Sequence, residues 1–234
     1  MAENDADASL FLPEERTLEA LREAACSCRG CDLWENATQT VFGEGGEGAR
    51  MMLVGEVPGD REDREGRPFV GPAGRELDRA LEAVGIERSE AYVTNAVKHF
   101  RFEERGKRRI HQRPDAGQIR ACRPWLRAEI DVIAPEAIVI LGATAARSLL
   151  GSSFRLMAER GRPLDSDLAP VVVATIHPSA ILRGRDDEAR QAQRQMFTED
   201  LTEAAKALAT RTRARGPGPR PTAARDGRSR ARQA

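Results

Sequence analysis

The chain of 234 residues lacks any apolar run near the roughly 20 residues that a spanning helix needs. Its longest candidates lie around Ile138–Leu141 and Val171–Ile176, and 32% of its residues are charged, which excludes a helical membrane protein. The start, MAENDADASL, has neither a basic segment nor an apolar one, so no secretory signal is expected. Cysteine is scarce. Four in a chain of this size do not make a disulfide scaffold, and reduced thiols are free to be metal ligands. Lysine is scarcer still, at Lys98, Lys107 and Lys206, so positive charge is carried by arginine.

The formal charge is zero, yet unevenly spread. From Arg211 to Ala234 there are eight arginines and one aspartate, so the rest of the chain is acidic by seven. Residues 1–209 read as one domain and 210–234 as a basic tail, rich in Arg, Pro and Gly, with the composition of a disordered extension. The location of positive charge, rather than its total, bears on a nucleic-acid partner.

Hydrophobic patterning predicts helices over Leu12–Ala25, Pro72–Val84, Asp115–Ile133, Ala143–Leu150 and Glu188–Ala209. It predicts buried strands at Arg50–Gly55, Ala91–Val97, Ala137–Leu141 and Pro170–Ile176. Alternating strands and helices imply an α/β three-layer sandwich with a central, mainly parallel, four-stranded sheet. Ligands of such folds bind beyond the carboxyl ends of the strands. Four segments share that rim: the loop Gly55–Gly74 with its carboxylates and Phe69, Asn95, Gly142-Ala143-Thr144, and His177-Pro178-Ser179. A basic run, Lys107-Arg108-Arg109-Ile110-His111, follows the second strand and is a candidate for phosphate contacts. Cations nearby keep a ring such as His111 neutral, and a neutral imidazole has a nucleophilic nitrogen. A solvated DNA-binding loop would carry the same charges. Cys28-x-x-Cys31 has ligand spacing, and Cys122 is a further thiol far along the chain. Such a set suits tetrahedral zinc as well as an iron–sulfur cluster.

The Gly55–Gly74 loop, Thr94–Phe100 (TNAVKHF), Leu141–Ala146 (LGATAA) and His177-Pro178-Ser179, in this order, resemble the uracil-DNA glycosylase superfamily. The likeness runs from about Cys28 to Leu208 and is strongest to its iron–sulfur branch, family 4, and to the covalent-binding relative UdgX. The Lys107–His111 run resembles the UdgX signature, which ordinary family 4 enzymes lack.

The resemblance implies a uracil site of Gly55, Val57, Asp60, Phe69, Asn95 and His177. Phe69 stacks on the flipped base, and the Asn95 amide accepts from N3–H while donating to O4, a pattern cytosine reverses. His177 answers the charge developing on O2. His111 attacks C1′ in place of water and leaves a covalent adduct. Glu56 orients His111, takes its proton or stabilises the cationic sugar; these roles stay open. Lys107, Arg108, Arg109, Ser179 and Arg183 are the implied DNA contacts. Cys28, Cys31, His99 and Cys122 are the implied ligands of a [4Fe–4S] cluster, with Cys26 an extra thiol, a rival ligand or a bystander. One residue departs: UdgX proteins commonly read Gly-Glu-Gln-Pro-Gly, and this chain has Val57 in the middle.

The expected partner is uracil-containing DNA, preferentially single-stranded, acted on by a cytoplasmic monomer with no membrane association. The alternatives are a conventional turnover family 4 glycosylase and a non-catalytic, metal-stapled DNA-binding protein.

Overall fold

The computed structural model describes residues 7–215. Chain order is α1 (Leu18–Ala25), β1 (Met51–Gly55), α2 (Asp60–Glu65), α3 (Pro72–Ala83), β2 (Ala91–Asn95), β3 (Phe102–Arg105) and β4 (Arg108–His111). Then come α4 (Ala116–Ile133), β5 (Ala137–Leu141), α5 (Ala143–Leu150), α6 (Leu156–Glu159), β6 (Pro163–Leu164), β7 (Val171–Thr175), α7 (Pro178–Leu182) and α8 (Asp187–Arg215).

The main sheet runs β2-β1-β5-β7-β6. Its first four strands are parallel and buried along their whole length, the apolar runs that a sheet covered on both faces requires. The α/β sandwich is as the sequence implied, with a fifth strand added: β6 pairs antiparallel with β7 through two residues only. A two-residue strand beginning with proline leaves no periodicity to read. Because β2 and β5 flank β1 on opposite sides, the chain leaves β1 at a topological switch point, where a cleft opens.

Local chemistry sets the element ends. The first helix begins at Leu18 rather than Leu12, where the Thr17 hydroxyl accepts the Ala20 amide. Asp115 and Gln118 form a reciprocal capping box on α4. Strand β2 stops at Asn95, short of Val97, because the amides of Ala96 and Val97 turn to the carbonyls of Gly55 and Glu56. The basic run expected in a loop forms strand β4 of a separate antiparallel hairpin, turned at Gly106 with φ 61°. Helix α8 continues to Arg215, past the boundary drawn at 209; the rest of the basic tail lies outside the described residues. Among the described residues, no helix is long and apolar enough to cross a membrane.

Candidate functional site

A cleft of about 1030 Å³ lies at the carboxyl ends of the parallel strands. Of the residues singled out from the sequence, it is lined by Glu56, Val57, Asp60, Phe69, Asn95, His111, His177, Ser179 and Arg183. Three chain segments distant in sequence supply its floor. Gly55 ends β1 opposite Asn95 of β2. A Cβ on Gly55 would stand 2.6 Å from Phe69 Cζ and press on the Asn95 amide oxygen, so glycine is what lets ring and amide meet over the strand end. Phe69 is held at φ 54°, a left-handed backbone that costs an L-residue strain, and its ring is 5.8 Å from that of His177.

His177 caps α7. Its Nδ1 accepts from the Ser179 amide at 3.1 Å and lies 2.8 Å from the Ser179 hydroxyl, which in turn accepts from Arg183 at 2.9 Å. A main-chain amide can only donate, so Nδ1 carries no proton and the neutral ring has its hydrogen on Nε2. Burial, then Arg183 and His111, push its pKa down to about 4, so the ring is neutral at pH 7 and presents an N–H donor.

His111 ends β4 and is exposed, with its ring 5.9 Å from that of Phe100. Its pKa is lowered by desolvation first, then by Arg183 and Arg113, against a raising effect of Glu62. The ring is neutral as the sequence implied, but for a different reason: the depressing cations are not those of its own run. Glu56 is half-buried. Desolvation raises its carboxyl above the usual range against the lowering effects of Thr144, Arg113 and Arg183, and Oε1 is buried without a hydrogen-bond partner.

Arg109 does not stand with the free cations expected to meet phosphates. Strand alternation sends it inward beside His111, where it bonds Asp60 at 2.5 Å and Asp63 at 2.6 Å, reaches Thr38, and lies over the rings of Phe100 and Phe102. Asp60, a candidate for uracil, is therefore engaged in ion pairs. Burial pushes its carboxyl up, but Arg64 and Arg109 outweigh that and hold it below its ordinary range. Lys107 and Arg108 are exposed at the hairpin turn and do not line the cleft. Arg113 and Arg147, which the sequence reading passed over, line it together with Arg183. Only proximity to His111 would have pointed to Arg113; nothing in the pattern marked Arg147.

The cysteine set lies outside the lining of the cleft, and Cys122 meets the segment that follows β2. Cys28 and Cys122 are buried, Cys31 is partly so, and Cys26 is exposed. Trp125 Nε1 donates to Cys28 Sγ at 3.2 Å and the Lys98 amide to Cys122 Sγ at 3.3 Å. Burial raises the thiols of Cys31 and Cys122, the latter to about 12, and each feels Cys28 electrostatically. His99 is buried and neutral, pushed down to about 4 chiefly by burial, with Nε2 at 2.9 Å from Thr40 Oγ1. Among the described residues these donors do not close into a group that could hold a single metal ion as they stand.

The family model of the uracil DNA glycosylase superfamily matches residues 42–202, which span the whole cleft. The chain belongs to that superfamily. It is 37% identical to a type-4 uracil-DNA glycosylase of Thermotoga maritima over 191 residues, 81% of this chain and 94% of that one. It is 38% identical over 174 residues to the type-4 enzyme of Sulfurisphaera tokodaii, covering 71% and 76%. A type-5 enzyme of Pyrobaculum aerophilum is more distant, at 29% over 148 residues.

Proposed function

We propose that this protein excises uracil from DNA and then joins itself, through His111, to C1′ of the sugar left behind. The observation that carries this reading is the placement of two neutral imidazoles in one cleft, with His177 at its floor and His111 at its lip.

The chemistry follows from the atoms present. A base turned out of the strand enters between Phe69 and the Asn95 amide. Its N1–C1′ bond breaks with the electron pair staying on uracil, and the Nε2–H of His177 meets the charge growing on O2. The depressed pKa keeps the ring neutral, and its Nε2–H hydrogen bond strengthens as that charge develops. The sugar becomes electron-poor at C1′. An imidazole nitrogen of His111 gives its lone pair there, and the ring, now cationic, loses its remaining N–H proton. Glu56, with one unpartnered oxygen and a raised proton affinity, is suited both to oppose the sugar's charge and to accept that proton. Uracil takes up one proton, so the sum is transfer of the sugar from N1 of uracil to the imidazole. A sugar–imidazole C–N bond is not readily hydrolysed, so each molecule acts once.

Arg109 serves this step without touching the DNA: by fastening the hairpin to α2 it holds His111 at the cleft. Arg183, Arg113 and Arg147 line the cleft and are suited to receive phosphates. Val57 offers uracil its main chain alone. Single strands suit a site that must extract the base, since no pairing has to be broken.

Cys28, Cys31, Cys122 and His99 are proposed to hold a [4Fe–4S] cluster. Three sulfur donors, two of them already accepting N–H groups, fit such a cluster, and His99 would bind through Nδ1 with its Thr40 contact intact. When bound, the cluster staples the N-terminal loop to α4.

The test is a denaturing gel of the protein mixed with a uracil-containing oligonucleotide, expected to show a retarded species one protein heavier than the strand. A second reading, turnover with water at C1′, is favoured by the type-4 relatives and by Val57. It predicts alkali-labile sites in many-fold excess over protein, with no retarded species. Visible absorption of the purified protein, brown for a cluster and colourless for zinc, tests the metal.

A further inference from the structure

Behind the base-reading residue lies a buried ion pair that the mechanism above does not use. Lys98 has 1% of its side chain exposed and Glu129 none. The ammonium of Lys98 spends its three protons on Thr94 Oγ1 at 2.7 Å, the main-chain carbonyl of Asn95 at 2.8 Å and Glu129 Oε2 at 2.5 Å. Glu129 Oε1 accepts in turn from the Tyr92 hydroxyl, the Thr94 hydroxyl and the Gly43 amide at 2.9, 3.0 and 3.1 Å. Burial and Glu129 raise the pKa of Tyr92, so its phenol stays a donor.

Isolated charges are costly in such a place, and hydrophobic residues of similar size often serve stability as well or better. The pair's geometry offers another reason for its presence. At Asn95 the sheet ends: the next two amides turn to Gly55 and Glu56, leaving the Asn95 carbonyl with no strand partner beyond it. The ammonium supplies that partner. With the Ala96 amide bonded to Gly55 on one edge and Lys98 on the carbonyl at the other, the peptide plane after Asn95 is held from both sides, and the Asn95 amide oxygen lies close over Gly55 beside the Phe69 ring.

We propose that Lys98, held by Glu129, is a positioning residue for Asn95, orienting the amide that reads the edge of the base. This rests on the reading of Asn95 as the uracil-recognising group. A bidentate amide tolerates little angular error, and a displacement of about 1 Å at a reacting site costs on the order of 100-fold in rate.

The test is a cycle of full-length variants measured by single-turnover release of free uracil, with binding to an abasic-site strand as the second readout. Lys98→Met/Glu129→Gln removes both charges yet leaves an acceptor for Tyr92 and Gly43. It is expected to slow release by about 10- to 100-fold and leave abasic-strand binding unchanged, since that ligand has no base to read. Combined with Asn95→Ala, it should add almost nothing to the loss from Asn95→Ala alone. Effects that multiply in full, or a pair variant as fast as the parent, would overturn the proposal. Equal weakening of abasic-strand binding would also overturn it, because that marks general loosening. If the pair variant fails to fold, Glu129→Gln alone enters the same cycle and is judged by the same outcomes. A parent protein that releases no uracil would instead defeat the reading of the site itself.

Discussion

His177 and His111 share a cleft and a neutral charge state, but the protein builds them in opposite ways. His177 follows a central strand, is fixed by Ser179 through Nδ1, and packs against Gly142, where a Cβ would stand 2.9 Å from its own. His111 ends a hairpin outside the main sheet, and the hairpin is tied down through a neighbour, Arg109. The difference teaches how a second step can be added to a first. In the proposed reaction, stabilising the departing base calls for one donor at one angle, and His177 stands at a sheet end. Capturing the sugar in that reaction calls for a nucleophile that leaves room for DNA, and the hairpin holds His111 at the lip.

That contrast can be broken most directly by His111→Ala. Adduct should vanish from a denaturing gel while free uracil, measured by chromatography, is still released; an undiminished retarded band would place the nucleophile elsewhere. Next in size is His177→Ala, expected to slow uracil release by about 100- to 1000-fold, as loss of an oxyanion donor does, and adduct with it. Retention of adduct without release would dissolve the order of steps. Arg109→Lys keeps a charge beside buried Asp63 but loses the fork that grips two carboxylates. It should lower the adduct rate by roughly tenfold with uracil release preserved, and equal slowing of both would deny Arg109 a role specific to the hairpin.

Acid separates the two rings more gently. In the proposed mechanism both act as neutral imidazoles: protonation takes the nucleophilic lone pair from His111 and, at Nδ1, breaks the Ser179 contact that orients His177. The His177 pKa is about 4, whereas that of His111 is depressed less far below 6.5. As pH falls from 7, the adduct should therefore decline first, with uracil release persisting toward pH 4; a coincident decline would show one shared group. The groups acting on His111 are Arg183, Arg113 and Glu62, so Arg113→Gln should move the adduct limb to higher pH. Smallest of all, Arg147→Gln should weaken DNA binding similarly for uracil and thymine strands and reduce the salt slope by about one. A loss confined to uracil strands would make Arg147 part of base recognition.

The four parallel strands were legible because each is an apolar run bounded by turn residues, and their loops then had to share a rim. Strand β6 was not, since Pro163–Leu164 carries no pattern. The hairpin was hidden because Phe102–Arg105 and Arg108–His111 are mostly charged and owe their form to pairing with each other rather than to a buried face. The same gap concealed Arg109. Arg108 and Arg109 are chemically identical in a sequence; only strand alternation sends one to solvent and the other onto Asp60 and Asp63. Lys98 read as a residue within a family motif, with no hint that its charge is buried.

By itself the sequence determined the α/β class, the rim on which chemistry is placed and the chemical types gathered there, since these depend on short-range pattern and residue identity. The tertiary structure alone decided which cations are free and which are spent in ion pairs, which nitrogen of His177 holds the proton, and why His111 is neutral. Those properties depend on burial and on partners tens of residues away in the chain, and the field at a side chain is set by distance in space rather than by position along the backbone.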